Sequence, residues 1–105
     1  MSYNQAIVDA PGNRKAMPEI SRFYGIVISM YAEAGERHNM PHVHARYGEY
    51  RATFAVETGD LLSGSLPKSQ LRLVQAWVEL RRDELEEDWQ LLQAGRLPNR
   101  IAPLS

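Results

Sequence analysis

The chain has 105 residues, no cysteine and a formal net charge of −1 at pH 7, with 44% hydrophobic and 24% charged residues. That composition supports one domain with a single modest core. It excludes disulfides, thiolate metal sites and any global electrostatic pull toward nucleic acid or an acidic membrane. No apolar run approaches the ~18 residues that span a bilayer, and the start of the chain lacks the apolar core of a secretory signal. A soluble cytoplasmic protein is the expectation.

Residues 1–16 show no sustained periodicity and contain the turn signal Pro11-Gly12-Asn13; they are expected to form a flexible N-terminal extension. Residues 17–105 are expected to form a single α+β domain. From Ile20 to Ala32 the chain reads as one strand, with Ile26, Ile28 and Met30 alternating against Val27, Ser29 and Tyr31. Gly25 is placed as a bend or bulge at its entry. A loop follows, and then His38-Asn39-Met40-Pro41-His42-Val43-His44, which holds all three histidines of the chain.

Two strands come next, His42–Tyr47 and Tyr50–Glu57, joined by Gly48-Glu49. Glycine at the first central position favours a type II′ turn, and a two-residue loop fixes the register. Tyr47 then faces Tyr50, Ala45 faces Ala52 and Val43 faces Phe54, all on one face. The other face pairs Arg46 with Arg51, His44 with Thr53 and His42 with Ala55. After the turn Thr58-Gly59-Asp60, a short strand Leu61–Leu66 places Leu62 opposite Val56 and Gly64 opposite Phe54. The sheet is thus a small antiparallel meander of about four strands.

Pro67 starts a helix in whose first turn proline is harmless. Leu71, Val74, Val78, Leu85, Trp89 and Leu92 form its apolar stripe, widened by Leu73, Trp77 and Leu80. Gly95 and Pro98 end it. One long helix would carry Lys68 and Arg72 early and Glu84–Asp88 late, against its dipole. A kink after Arg82, with Asp83 and Glu86 as an N-cap pair, would repair this. A continuous or kinked helix covering one sheet face is expected. The acidic run Asp83–Asp88 reads as a solvated face, and the tail from Asn99 as an irregular packed extension.

His42 and His44, alternate residues on a strand, point the same way with Cα atoms ~7 Å apart. With His38 swinging in, they form a candidate site for a divalent transition metal such as zinc. Without metal, His42, His44, Arg46 and Arg51 resemble the catalytic inventory of a metal-independent ribonuclease, with Thr53 and Tyr47 as further binding groups. Arg46 opposite Arg51 is unfavourable in itself, so an anion or acidic partner is one way to offset it. The bland alternative is a solvated polar face on a pure interaction module. Any overhang of the helix beyond the sheet would need a cognate protein or a second copy to cover it.

From Met17 onward the chain resembles a bacterial family known as domain of unknown function 4160. The resemblance is carried by Met17-Pro18-Glu19-Ile20-Ser21-Arg22-Phe23-Tyr24-Gly25-Ile26-Val27-Ile28, by Pro41-His42-Val43-His44, and by Thr58-Gly59-Asp60 leading into Gly64-Ser65-Leu66-Pro67. The helix pattern Trp77, Glu84-Leu85 and Trp89 and the closing Ile101-Ala102-Pro103-Leu104 add to it. Met40 and Arg37 depart from the family's usual proline and acidic residue; the second departure weakens a metal scheme that needs a carboxylate there. The resemblance implies a context: such proteins are often encoded beside another short protein, in arrangements like toxin–antitoxin modules. The resemblance thus implies one half of a complex, either an RNA-directed toxin or its neutraliser: a cognate partner protein or a homo-oligomer is the expected partner, with RNA as a further candidate.

Overall fold

Five antiparallel strands follow one another in chain order across a single sheet: β1 (Glu19–Phe23), β2 (Ile26–Ser29), β3 (His42–Tyr47), β4 (Tyr50–Ala55) and β5 (Leu61–Gly64). Two helices complete the α+β fold, α1 (Lys68–Leu80) and α2 (Arg82–Gln93). The computed structural model describes residues 18–31 and 40–105. The expected N-terminal extension over residues 1–16, and His38, lie outside the described residues.

The expected single strand from Ile20 to Ala32 is a hairpin, which raises the count from about four strands to five. Tyr24 (φ 51°) and Gly25 (φ 79°) both occupy the left-handed region. That is the signature of a two-residue type I′ turn, whose twist matches that of paired strands. Phe23 consequently pairs with Ile26, and Arg22 with Val27. Gly25 is a turn residue, then, and no mere bend. Tyr24 hid the turn because a bulky side chain rarely adopts positive φ.

The β3–β4 hairpin has the expected register throughout, from His42 opposite Ala55 to Tyr47 opposite Tyr50. Gly48 sits at φ 59°, as the first position of a type II′ turn requires. The register between β4 and β5 differs from expectation. A bulge between Thr53 and Phe54 puts Leu61 opposite Phe54, Ser63 opposite Thr53 and Gly64 opposite Ala52. Gly64 is needed there for closeness. At φ 77° its backbone lies so near β4 that a Cβ would collide with the Arg51 carbonyl oxygen and come within 2.9 Å of Ala52 Cα.

The helical segment is two helices. Arg81 leaves helical geometry at φ −109°, ψ 21°, one residue before the expected kink. Asp83 and Glu84 now lie in the first turn of α2, where their charge favours the helix dipole. The expected Asp83 cap does not form; Arg81 occupies the cap position without a side-chain hydrogen bond. Arg82 instead donates from Nε to the Val56 carbonyl (2.9 Å), tying the start of α2 to the end of β4. Leu80, counted in the apolar stripe, is 68% exposed because the stripe changes direction at this break. Gly95 ends α2 as expected, and it does so in a Schellman motif: Gly95 at φ 77° donates to Leu92, and Arg96 to Leu91.

The core lies between one sheet face and the helices. Ile26, Ile28, Val43, Ala45, Ala52 and Phe54 project from the strands against Val74, Trp77, Val78, Leu85, Trp89 and Leu92. Phe23 packs on Trp77 with ring centroids 5.3 Å apart. The tail is anchored into this assembly. Ile101 donates its N–H to Ile20 O on the β1 edge (2.8 Å), and Trp77 Nε1 donates to Ala102 O (2.8 Å). Asp88 is a correction to the solvated reading of the acidic run. It is buried, and its Oδ1 accepts the Asn99 N–H at 2.8 Å. Burial pushes its carboxyl above the ordinary range.

Replacing Gly64 by alanine must break the β4–β5 contact or strain the bulge. It is expected to cost at least about 2 kcal/mol, read as a lowered urea midpoint. A midpoint equal to the parent's would contradict the close approach.

Candidate anion-binding sheet face

On the face opposite the helices, neighbouring strands align their side chains into two transverse rows. One runs Glu19, Ser29, His44, Thr53, Ser63 across all five strands. The other runs Arg22, Val27, Arg46, Arg51 across β1 to β4. These rows line a half-open cavity of about 550 Å³, whose walls include Glu19, Ser29, Tyr31, His44, Arg46 and Arg51. Thr53, Ser63 and Val27 also contribute to its walls.

The electrostatics of the face follow from the rows. Arg46 and Arg51 lie directly opposite each other, both exposed, and neither makes an ion pair among the described residues. Like charges directly opposite each other on paired strands are destabilising, by roughly 0.2–1 kcal/mol. The one carboxylate of the lining, Glu19, is already engaged. Arg22 holds it through Nη2–Oε1 at 2.7 Å and Nε–Oε2 at 3.1 Å, and Arg100 adds an Nη2 contact at 3.3 Å. The Arg22 hydrogen bonds, with help from Arg100, lower its carboxyl to about 2. Glu19 is thus ionised at all physiological pH values and is a weak base.

The two histidines of β3 have different fates. His44 lines the cavity, contacts Thr53 Oγ1 through Nδ1 at 3.3 Å, and stacks on Tyr31 with centroids 4.6 Å apart and planes at 14°. His42 shares the face but lies outside the cavity lining. Its ring meets His44 edge-on at 5.1 Å and Trp89 of α2 at 5.1 Å, and its Nδ1 donates to the Met40 carbonyl at 2.8 Å. The rings of Tyr31, His44, His42 and Trp89 therefore run in sequence from the sheet face to the second helix. Tyr47 also lies outside the cavity; it is on the opposite face, packed against the core.

The structure brings His44, Arg46, Arg51 and Thr53 of the sequence-derived candidates together in the cavity lining; His42 touches the His44 ring from outside that lining, and Tyr47 is on the opposite face. Among the described residues no group of three His, Asp or Glu side chains could hold a metal ion. His38, the third member of the expected metal set, lies outside the described residues. Glu19, Arg22, Ser29, Tyr31 and Ser63 were missing from the sequence-derived site. Val27, Ser29 and Tyr31 already alternated with the apolar residues of β2, and that was the available signal for Ser29 and Tyr31. Arg22 and Glu19 needed the β1–β2 hairpin.

The Glu19 carboxyl has a folded pKa depressed below its ordinary value of 4.5. Its ion pairs therefore favour the fold above about pH 4.5, and this contribution is lost as pH falls through about 2. Arg22→Ala is expected to raise the Glu19 midpoint toward 4.5 by more than Arg100→Ala does, as read by carboxyl NMR titration. Equal shifts in the two variants would contradict the assignment of Arg22 as the dominant partner.

Neither helix is long and apolar enough to cross a membrane among the described residues. No curated protein and no solved structure matches the chain. A family model does, over residues 25–90, the span that holds strands β2 to β5, α1 and most of α2. The flanking likenesses before Gly25 and after Gln90 lie outside that match. With well over half of the chain covered, this protein belongs to the family described as domain of unknown function (DUF4160).

Proposed function

We propose that the protein is one component of a toxin–antitoxin-like pair, that it binds a cognate partner protein, and that its arginine-lined sheet face takes RNA. The observation that carries the RNA reading is the Arg46–Arg51 pair. It sits beside a cavity rich in hydroxyl groups, with no carboxylate on the described residues to neutralise it. A phosphate between two guanidiniums would convert a cross-strand repulsion into two charge-assisted contacts. Family membership supports the paired-gene context only through the resemblance described above.

Binding has more support than cleavage. A ribonuclease mechanism needs two acid–base groups that both reach the substrate. The His42 ring touches that of His44 at 5.1 Å, but it lies outside the cavity lining, packed on Trp89 with its Nδ1 bonded to the Met40 carbonyl. Glu19 is a poor substitute, with its carboxyl held at about 2. The metal reading has less support still. It would need His38 and a reorientation of His42 and His44, whose rings meet edge-on at 5.1 Å. The non-catalytic interaction module and this proposal differ only in whether the arginine face has an anionic ligand.

Mixed-sequence single-stranded RNA is expected to bind the parent protein with strong salt dependence. Arg46→Ala and Arg51→Ala should each reduce the slope of log affinity against log salt by about 0.7. Titration by fluorescence anisotropy between low and moderate salt reads this. Absence of binding at low salt, or slopes unchanged in both variants, would overturn the RNA reading. Co-purification with the product of the adjacent gene tests the partner separately.

A further inference from the structure

The cavity has two chemically different ends. Arg46 and Arg51 supply a doubly cationic end on β3 and β4. The stacked rings of Tyr31 and His44 supply an aromatic wall at the other. His44 and Arg46 are two residues apart on one strand, which separates the ends by about 7 Å. That is comparable with the separation of phosphate and base within one nucleotide. The hydroxyls of Ser29, Thr53 and Ser63 lie in the row of His44, on the strands beside it, each able to donate and accept.

We infer that the cavity accommodates a single unstacked nucleotide, with its phosphate at Arg46 and Arg51 and its base against the Tyr31–His44 wall. The ligand class is a nucleoside monophosphate unit, either free or within a single strand; this rests on the RNA reading above. The volume of about 550 Å³ lies inside the roughly 300–1,000 Å³ of small-ligand sites. A duplex keeps its bases stacked and paired, so it could offer this cavity only its backbone. The placement of charge sets the orientation. Glu19 shares a row with His44 and belongs to β1, three strands from Arg51. At about 4.8 Å per strand spacing that is roughly 14 Å. Glu19 is already neutralised by Arg22 and Arg100, whereas Arg46 and Arg51 make no ion pair among the described residues, so a phosphate is directed to the β3–β4 end. The ionised Glu19 carboxylate can only accept, which suits a sugar hydroxyl or a base N–H. The hydroxyl row, with both donors and acceptors, discriminates little between base edges, so weak base preference is expected.

The test compares four probes on the unmodified protein by calorimetry at low salt: a short single-stranded RNA, its duplex, a nucleoside 5′-monophosphate and inorganic phosphate. The strand and the monophosphate should bind at least tenfold more tightly than inorganic phosphate, and the strand more tightly than the duplex. Tyr31→Ala should weaken the monophosphate by about tenfold and leave inorganic phosphate unchanged, while Tyr31→Phe retains parental affinity. Inorganic phosphate binding as tightly as the monophosphate overturns the inference, and because it uses the parent protein it does not depend on how any variant folds. RNA binding that is lost in Arg46→Ala but unaltered in a folded Tyr31→Ala also overturns it, and leaves the RNA reading standing. If neither RNA nor monophosphate binds, both fall together.

Discussion

The pairing of β3 with β4 is the constraint from which the remaining features follow. Its register is set by a turn of two residues, Gly48 and Glu49, and a turn that short leaves no slack. Once Tyr47 is opposite Tyr50, Val43 and Phe54 must face the helices together with Ala45 and Ala52. The same alternation must bring Arg46 against Arg51 on the far side. A slip by one residue would expose Val43 and Phe54 and bury arginine. The hydrophobic gain on the core face, about 1.5–3 kcal/mol for each large side chain fully buried, exceeds the fraction of a kcal/mol that the arginine pair costs. The core therefore dictates a repulsive contact that its own face does not feel.

The two sheet faces are finished differently. On the core side, the helix break at Arg81 and the Arg82 hydrogen bond to Val56 turn α2 across the end of the sheet. The tail then seals the β1 edge through Ile101, with Trp77 and Asp88 as anchors. A covered edge cannot template pairing with another chain. On the other side, nothing among the described residues neutralises the arginines, and the hydroxyl row remains in a concave surface. The α2 placement also divides the histidine stretch. Trp89 draws His42 into ring packing at the sheet end, while His44 stays in the cavity. The two residues share a strand face and their rings touch edge-on, but only His44 lines the cavity.

How much of this was legible in the sequence depends on how local the determining signal is. The β3–β4 register was readable because a two-residue loop converts spacing directly into pairing. The β1–β2 hairpin was not, since Tyr24 accepts a positive φ that only tertiary context enforces. The β4–β5 register was misplaced by a bulge at Thr53–Phe54, which no residue type announces. Charge order along the helix located the break to within one residue, although it misassigned the cap. For the site, alternation identifies which residues share a face and is silent on how far along the face they lie. His42 was grouped with the arginines for that reason. Glu19, Tyr31 and Ser63 were missed because they join the cavity through neighbouring strands, and cross-sheet alignment exists only after every register is known.

The central claim is that Arg46 and Arg51 oppose each other unfavourably in the free protein and are reconciled by an anion. A double-mutant cycle of Arg46→Ala and Arg51→Ala, measured by urea unfolding at low salt with and without single-stranded RNA, tests it most directly. The account predicts an unfavourable coupling of roughly 0.2–1 kcal/mol without RNA, turning favourable when RNA is present. A coupling that is zero or favourable in the free protein would contradict it.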